Sequence, residues 1–313
     1  MDKKNARILF LGTPQISADV LDMLIKNGYN IIGVISQPDK PIGRKMIIEP
    51  TPTKIVAQRN KIEVFQPVKI RNDFEFVKSL KPDVLLTLAY GQIIPHDMLE
   101  IPSLSLNLHG SLLPKYRGAS PIQEALFNGD KTTGVTLMQM VDVMDAGKMY
   151  GSIEIAIDDK DNYTTLSKKL TKVAFDCFDT YIQDVIDKKN LGIEQDLKLV
   201  SFTKKIKKED ELLNFINPAI QLNNQIRALN DEPGAYFIYK ELKIKVSEAT
   251  YTNEDEQFVC GKIYDYTKNS LSIGTSKGLL HIQKLQKPGK RMMPISDFFN
   301  GNKDFFAISD IIK

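Results

Sequence analysis

The 313-residue chain predicts an α/β protein. A mostly parallel sheet with helices on both faces is expected over residues 1–190, then a linker at 191–208 and a smaller β-rich unit over 209–313. Three observations predict this. Short aliphatic runs alternate with segments whose apolar residues recur at helical spacing, the pattern of parallel strands joined by helices. The run PDVLLTLAYG (82–91) is apolar almost throughout, as a strand covered on both faces must be. After about residue 190 the texture changes to short alternating runs punctuated by turn signals.

Taken in order, ILFLG (8–12) reads as a buried strand ending at Gly12. SADVLDMLIKNG (17–28) places Val20, Leu21, Leu24 and Ile25 on one helical face and stops at Gly28. IIGVIS (31–36) and IEVFQ (62–66) read as strands, and residues 36–52 as a long loop too polar and proline-rich for either element. A helix in NDFEFVKSL (72–80) precedes the strand of 82–91, and LSLNLHG (104–110), GVTLMQMVD (134–142) and GSIEIAI (151–157) read as the strands after it. The longest helix spans 163–189, with Leu166, Leu170, Val173, Cys177, Tyr181 and Val185 on one stripe. A charged connector (201–218) runs into a helix in NPAIQLNNQIRALN (217–230). The remainder alternates, with Ser276-Lys277-Gly278 as a hairpin signal between SLSIGT and LLHIQKLQ. Many short strands in so little chain imply a small barrel or sandwich.

Composition narrows the function classes. No window reaches the ~20 apolar residues that span a bilayer, and the apolar run at 8–11 is too brief for a secretory signal. A cytoplasmic protein without membrane attachment is expected. Cys177 and Cys260 show no CxxC or CxxH spacing, so neither a disulfide framework nor a zinc site is expected. The net charge of +3 lies entirely within 201–313, a mild bias that a solvated surface explains as well as a polyanion site does. Gly12-Thr13-Pro14-Gln15-Ile16-Ser17 follows the first strand without the second and third glycines of a dinucleotide fingerprint. No GxxxxGK[ST] occurs. Nicotinamide, flavin and P-loop chemistry are therefore disfavoured.

The densest stretch is LSLNLHGSLLPKYRG (104–118). Leu104, Leu106 and Leu108 alternate with Ser105, Asn107 and His109, so Asn107 and His109 share one face at the end of a strand, about 7 Å apart. In open α/β sheets ligands bind there. A carboxamide donor beside an imidazole suits a reaction that builds a negative oxygen on a tetrahedral carbon, although both groups also serve as local caps at strand ends. Met140-Val141-Asp142-Val143-Met144-Asp145-Ala146-Gly147 offers two carboxylates in a turn after the next strand. Either is suited to orient His109 and favour its charged form, or simply to cap the turn.

These residues also carry a resemblance. NLHGSLLPKYRGASPIQEAL (107–126) together with MVDVMDAG (140–147) resembles the folate-dependent formyltransferases. FLGTPQISADVL, SQPDKPIGRKMIIEPTPTKIVA, LAYGQIIP, IRALNDEPGAY and KLQKPGKRMMPISDFFNG narrow the resemblance to the members that formylate methionine on initiator tRNA. Asp231-Glu232 stand where that family usually carries an aromatic residue. The resemblance implies a Rossmann-like catalytic domain followed by an OB-like β-barrel that binds tRNA. It implies a catalytic set of Asn107, His109 and Asp145, and a folate loop of Ser111, Leu112, Leu113 and Pro114. The pterin is then expected against Ala89, Tyr90, Gly91 and Ile94 on one side and Val141 and Asp142 on the other. Lys40, Arg44 and Lys45 of the 36–52 loop become candidates for entering the acceptor stem, with Arg44 foremost. Lys284, Lys287, Lys290 and Arg291, a basic run free of acids in sequence, become a candidate RNA-backbone surface. The implied co-substrate is 10-formyltetrahydrofolate with no metal, and the implied partner is initiator methionyl-tRNA with no obligate protein partner. Transfer to an amino sugar or other small amine, hydrolysis to formate, and a catalytically silent RNA-binding role remain as alternatives.

Overall fold

The computed structural model describes residues 1–42, 46–230, 232–252, 258–302 and 304–312. β1 (Ile8–Gly12) is completely buried and leads into α1 (Gln15–Lys26). That helix ends where the sequence places Gly28. The Gly28 N–H donates to the Ile25 carbonyl (3.0 Å) and the Tyr29 N–H to the Leu24 carbonyl (3.1 Å). This paired closure needs a left-handed residue, and Gly28 supplies φ +78°. β2 (Ile31–Ile35) then enters the 36–52 region.

That region departs from the irregular loop expected. It holds a short antiparallel hairpin, β3 (Lys40–Ile42) with β4 (Ile47–Glu49). Three-residue strands containing Pro41 are too short to display a period in sequence. The Arg44 and Lys45 positions lie outside the described residues. At the hairpin's base Asp39 accepts hydrogen bonds from Lys54 and Gln66. α2 (Pro52–Arg59) starts behind Thr51, whose hydroxyl accepts the Lys54 N–H, with Pro52 at the first helical position.

The chain continues through β5 (Val64–Phe65), α3 (Phe76–Leu80), β6 (Val84–Leu88), α4 (His96–Leu99), β7 (Leu104–His109), β8 (Arg117–Gly118), α5 (Pro121–Phe127), β9 (Thr132–Gln139), β10 (Met149–Ala156), α6 (Tyr163–Ile186) and β11 (Phe202–Thr203). Seven strands form one sheet in the order β10-β9-β7-β6-β1-β2-β5. The five from β7 to β5 run parallel; β9 alone runs the other way, pairing antiparallel with both β7 and β10. This is the mostly parallel, Rossmann-like sheet that the alternating runs predict. Ile8, Leu9, Phe10, Leu11, Val84, Leu85 and Leu86 are fully buried in it, each aliphatic side chain contributing roughly 1.5–3 kcal/mol. Strand order reverses between β1 and β6, which opens a crevice beyond their C-terminal ends.

The chain divides into two compact units, residues 1–121, 132–156 and 167–203 against 122–131, 157–166 and 204–313. Residues 191–203, expected as part of a linker, are hydrogen-bonded into the first unit. Ile193 bridges to Met149, and β11 pairs with β8. The second unit contains α7 (Ala219–Ala228), β12 (Ala235–Tyr239), β13 (Leu242–Tyr251), β14 (Ile263–Tyr266), β15 (Leu271–Gly274), β16 (Leu279–Gln286), β17 (Met293–Pro294) and α8 (Ile295–Gly301). Its sheet is antiparallel in the order β12-β13-β16-β15-β14, with β17 on β16. Phe237, Ile244, Val246, Ile273, Ile282 and Phe298 belong to one buried cluster. The turn between β15 and β16 falls at 276–278 as the sequence predicts, with Gly278 at φ +77°. Among the described residues no helix is long and apolar enough to cross a membrane.

Candidate active site

β7 brings Asn107 and His109 to one face beside the crevice. Asn107 lies in register with Thr87 of β6 and Met138 of β9, and His109 with Thr136 of β9. Among the described residues the Asn107 carboxamide makes no side-chain hydrogen bond, leaving its donor free. His109 is buried. Its Nε2–H donates to the Tyr116 carbonyl at 2.8 Å, and its Nδ1 stands 3.6 Å from Asp145 Oδ2. A ring protonated at both nitrogens thus meets an acceptor on each side.

The loop after β7 is closed by its own side chains. Ser111 is fully buried, its hydroxyl donating to the Lys115 carbonyl (2.6 Å). Thr136, opposite His109, donates to the Ser111 carbonyl (2.7 Å) and accepts the Leu113 N–H (3.1 Å). The Leu113–Pro114 peptide is cis. Leu112 packs over Gly134, where a Cβ would come within 2.6 Å of it. Ser111, Leu112, Leu113 and Pro114 therefore shape the wall beside His109, and the Ser111 hydroxyl is spent within it.

The turn after β9 separates the two carboxylates proposed from sequence. Asp145 reaches His109, whereas Asp142 is exposed and faces His96 Nδ1 at 3.2 Å. Asp145 has φ +52°, a left-handed conformation that short polar residues tolerate best. Its Oδ2 also accepts the Gly118 N–H at 2.8 Å. Gly118 has φ +122°, and a Cβ there would lie 2.5 Å from the Thr203 carbonyl. Behind the turn, Gln195 donates to the carbonyls of Asp145 and Gly147 and accepts from Arg117 Nε. Sequence reasoning missed Arg117, Gly118, Gly147 and Gln195. Arg117-Gly118 and Gly147 close the two motifs already singled out but carry no role there, while Gln195 sits in the presumed linker with no periodic or motif signal.

The segments expected to flank a pterin are adjacent in the first unit, since Met140 packs on the cluster that holds Tyr90 and Ile94. Ala89 is exposed at φ +49° and Gly91 adopts φ +91°. The Tyr90 carbonyl accepts from Thr13 Oγ1 (2.9 Å) and Gln37 Nε2 (3.2 Å). Its hydroxyl is buried with no hydrogen-bond partner among the described residues, and burial pushes its pKa up to about 12. Val141 is exposed. Next to the 89–94 segment, Lys69, Arg71, Asn72, Gln92 and Ile93 line an open cavity of about 380 Å³. Among the described residues no group of three His, Cys, Asp or Glu side chains is placed to hold a metal ion.

The basic candidates differ from one another. Lys40 is exposed on β3. Lys284 is paired with Glu248 across β16 and β13, so the run that is free of acids in sequence is not so in the sheet. Lys287 bonds Asn302 (3.1 Å) and lies 4.1 Å from the centre of the Phe305 ring. Lys290 and Arg291 are exposed, with no ion pair among the described residues.

A family model described as formyl transferase matches residues 6–181, and one described as formyl transferase, C-terminal domain, matches 205–303. The methionyl-tRNA formyltransferase of Bacillus pumilus is 40% identical over 301 residues, covering 95% of each chain. That of Lactobacillus acidophilus is 39% identical over 309 residues, covering 97% of this chain and 98% of its own. Among solved structures, an N-formyltransferase from Helicobacter canadensis in complex with folinic acid and dTDP-3-aminofucose superposes with a TM-score of 0.66 at 21% identity, over 90% of this chain and 99% of its own. HypX from Aquifex aeolicus in complex with tetrahydrofolic acid gives 0.67 at 16% identity over 98% of this chain, which spans about half of that protein's length. The two structural likenesses establish the fold alone.

Proposed function

The chain belongs to the methionyl-tRNA formyltransferase family, and on that premise we propose that it moves the formyl group of 10-formyltetrahydrofolate to the α-amino group of methionine on initiator tRNA, with Asn107, His109 and Asp145 at the reacting centre. The observation that carries the assignment of residues is the joining of His109 to Asp145 at 3.6 Å on the strand face that also bears Asn107.

In this mechanism the methionine amine attacks the formyl carbon, the C=O π pair moves to oxygen, and a tetrahedral oxyanion forms. Asn107 donates its free amide N–H to that oxygen. The oxyanion, a charged acceptor, competes with the neutral Tyr116 carbonyl for the His109 Nε2 proton. Asp145 holds the ring in place and balances its positive charge. Collapse breaks the bond to the folate nitrogen, which takes up a proton equivalent to the one the amine gives up. The folate is a consumed co-substrate. We place its pterin against the 89–94 and 140–145 segments and the Ser111–Pro114 wall. Lys40, Arg44 and Lys45 are assigned to the acceptor end of the tRNA and Lys287, Lys290 and Arg291 to its backbone, while Lys284 is matched by Glu248.

The test is formylation of charged initiator tRNA from 10-formyltetrahydrofolate, with charged elongator tRNA and a nucleotide-linked amino sugar as competing acceptors. Asn107→Ala and His109→Ala are each expected to lower turnover by about 10²-fold, the usual cost of one donor to an oxyanion, with tRNA affinity retained. Near wild-type turnover in either variant removes that residue from the reacting centre. Preference for the amino sugar overturns the acceptor.

A further inference from the structure

Gln195 lies in a segment that sequence assigns to a linker, yet it is buried and uses every hydrogen-bonding group of its carboxamide. Its two amide hydrogens go to the carbonyls of Asp145 and Gly147, both at 2.8 Å. Its oxygen accepts from Arg117 Nε at 3.0 Å. Arginine has donors only, so the amide oxygen must face Arg117 and the NH₂ must face the turn. The orientation is fixed by chemistry. The two carbonyls bracket Ala146, and the first belongs to the residue whose left-handed backbone aims a carboxylate at His109. Such a conformation persists only where the surroundings over-determine it.

The segment carrying Gln195 is itself tied down. Ile193 exchanges two backbone hydrogen bonds with Met149, at 2.9 and 2.8 Å. Farther on, Ser201 accepts the Tyr116 N–H through its hydroxyl and the Arg117 N–H through its carbonyl, both at 2.9 Å. Thr203 Oγ1 accepts the Ser120 N–H at 3.0 Å. Residues 193–203 thus hold both walls of the site, the one that offers the Tyr116 carbonyl to Nε2 of His109 and the one that offers Asp145 to Nδ1.

We propose that Gln195 is a positioning residue for the transfer reaction: by donating to both carbonyls of the Asp145–Gly147 turn it keeps the Asp145 carboxylate against His109. This rests on the role given to Asp145 under the proposed function. It also predicts which chemical feature of the side chain matters. Glutamate fills the same space and satisfies Arg117 better, but it turns an acceptor toward two carbonyl oxygens. Leucine fills the space and bonds to nothing.

The experiment is steady-state formylation by the full chain, varying both substrates, with thermal melts of each variant. Gln195→Glu and Gln195→Leu should each lower kcat by about tenfold or more, within the range lost when a supporting hydrogen bond to a reacting group is removed. KM for the tRNA should change by less than about threefold, because Gln195 touches no residue assigned to the tRNA, and KM for the folate should rise by less than kcat falls. Placed on Asp145→Asn, Gln195→Leu should cost less than about twofold more, since a residue acting through Asp145 has nothing left to act on. Three results overturn the proposal: Gln195→Glu with wild-type kcat, multiplicative losses in the double variant, or full kcat recovered by assaying well below the melting temperature. Wild-type turnover in Asp145→Asn alone overturns the reading beneath it instead, so the two failures are distinguishable.

Discussion

Gly147→Ala tests whether the geometry of the Asp145 turn limits the rate. A Cβ at Gly147 would lie 2.0 Å from the Gln139 carbonyl oxygen and 2.9 Å from its carbon, against 3.4 Å for ordinary contact. The chain must open there by at least about 1 Å, a distance set by van der Waals radii. Gln139 cannot yield easily, because it closes β9 and its N–H donates to the Lys148 carbonyl at 2.8 Å. The displacement therefore passes into the turn, and Asp145 sits two residues away with a 3.6 Å contact to lose. A misplacement of about 1 Å at a reacting centre costs on the order of 10²-fold in rate, or about 2.7 kcal/mol of barrier. Single-turnover formylation measures that loss directly. Gly28→Ala is the control, with φ +78° and nothing within 4 Å of an added Cβ. It should cost about 1–2 kcal/mol of stability through left-handed strain, or roughly 2–8 °C in Tm, with kcat unchanged. If Gly147→Ala turned over within threefold of wild type, the turn would not transmit its position to the chemistry, and the reasoning would be refuted.

The remaining predictions concern charge. Neutralising Lys290 and Arg291 together should lower the salt dependence of tRNA affinity by nearly one logarithmic unit per lost phosphate contact, whereas Lys284→Gln, already matched by Glu248, should change it little. Salt titrations of binding to initiator and elongator tRNAs should show the same shift for both, and an unchanged slope removes this surface from RNA binding. At the hairpin base, burial pulls the Asp39 carboxyl upward, but hydrogen bonds from Lys54 and Gln66 and the Lys54 charge outweigh it and hold it below the ordinary 3.8. A lowered folded value means that the charge of Asp39 stabilises the fold above pH 3.8 and that this contribution is lost as pH falls through the folded value. Denaturant melts should therefore find Asp39→Asn less stable than wild type near neutrality, with the gap closing below pH 3.8. A gap independent of pH would show that the carboxylate charge contributes nothing.

What the sequence discloses depends on whether a feature repeats. β1 and β6 are nearly all aliphatic and buried at every position, so they announce themselves. Asn107 and His109 share a face because period two is enforced by the strand itself, and α6 has 24 residues over which to reveal its stripe. The β3–β4 strands, α4 and α5 each run for fewer than two periods, too few to display a pattern. Asp145 and Asp142 are equivalent in sequence, and only the folded turn sends one to His109 and the other to His96. Gln195 is the extreme case. Its partners are the backbone carbonyls of Asp145 and Gly147 and one guanidinium, brought from 48 to 78 residues away, and no local pattern encodes such a meeting. The pairing of Lys284 was hidden for the same reason, since Glu248 lies across the sheet from it and not beside it in the chain.

The interlaced division of the chain bears on how such proteins exchange parts. The two matched family regions are contiguous, 6–181 and 205–303, which invites the view that the second is a module fused at a single seam. The compact units are not contiguous, and the chain crosses between them five times before residue 205. Residues 122–131 and 157–166 belong to the second unit while lying inside the first region. Phe127, for example, packs on the buried cluster formed by the C-terminal strands. A chimera spliced near 204 would therefore join one parent's strands to the other parent's α5 and the start of its α6. Recombination between relatives is constrained to partners whose residues at 122–131 and 157–166 already suit the incoming sheet, so the two regions are expected to be inherited together.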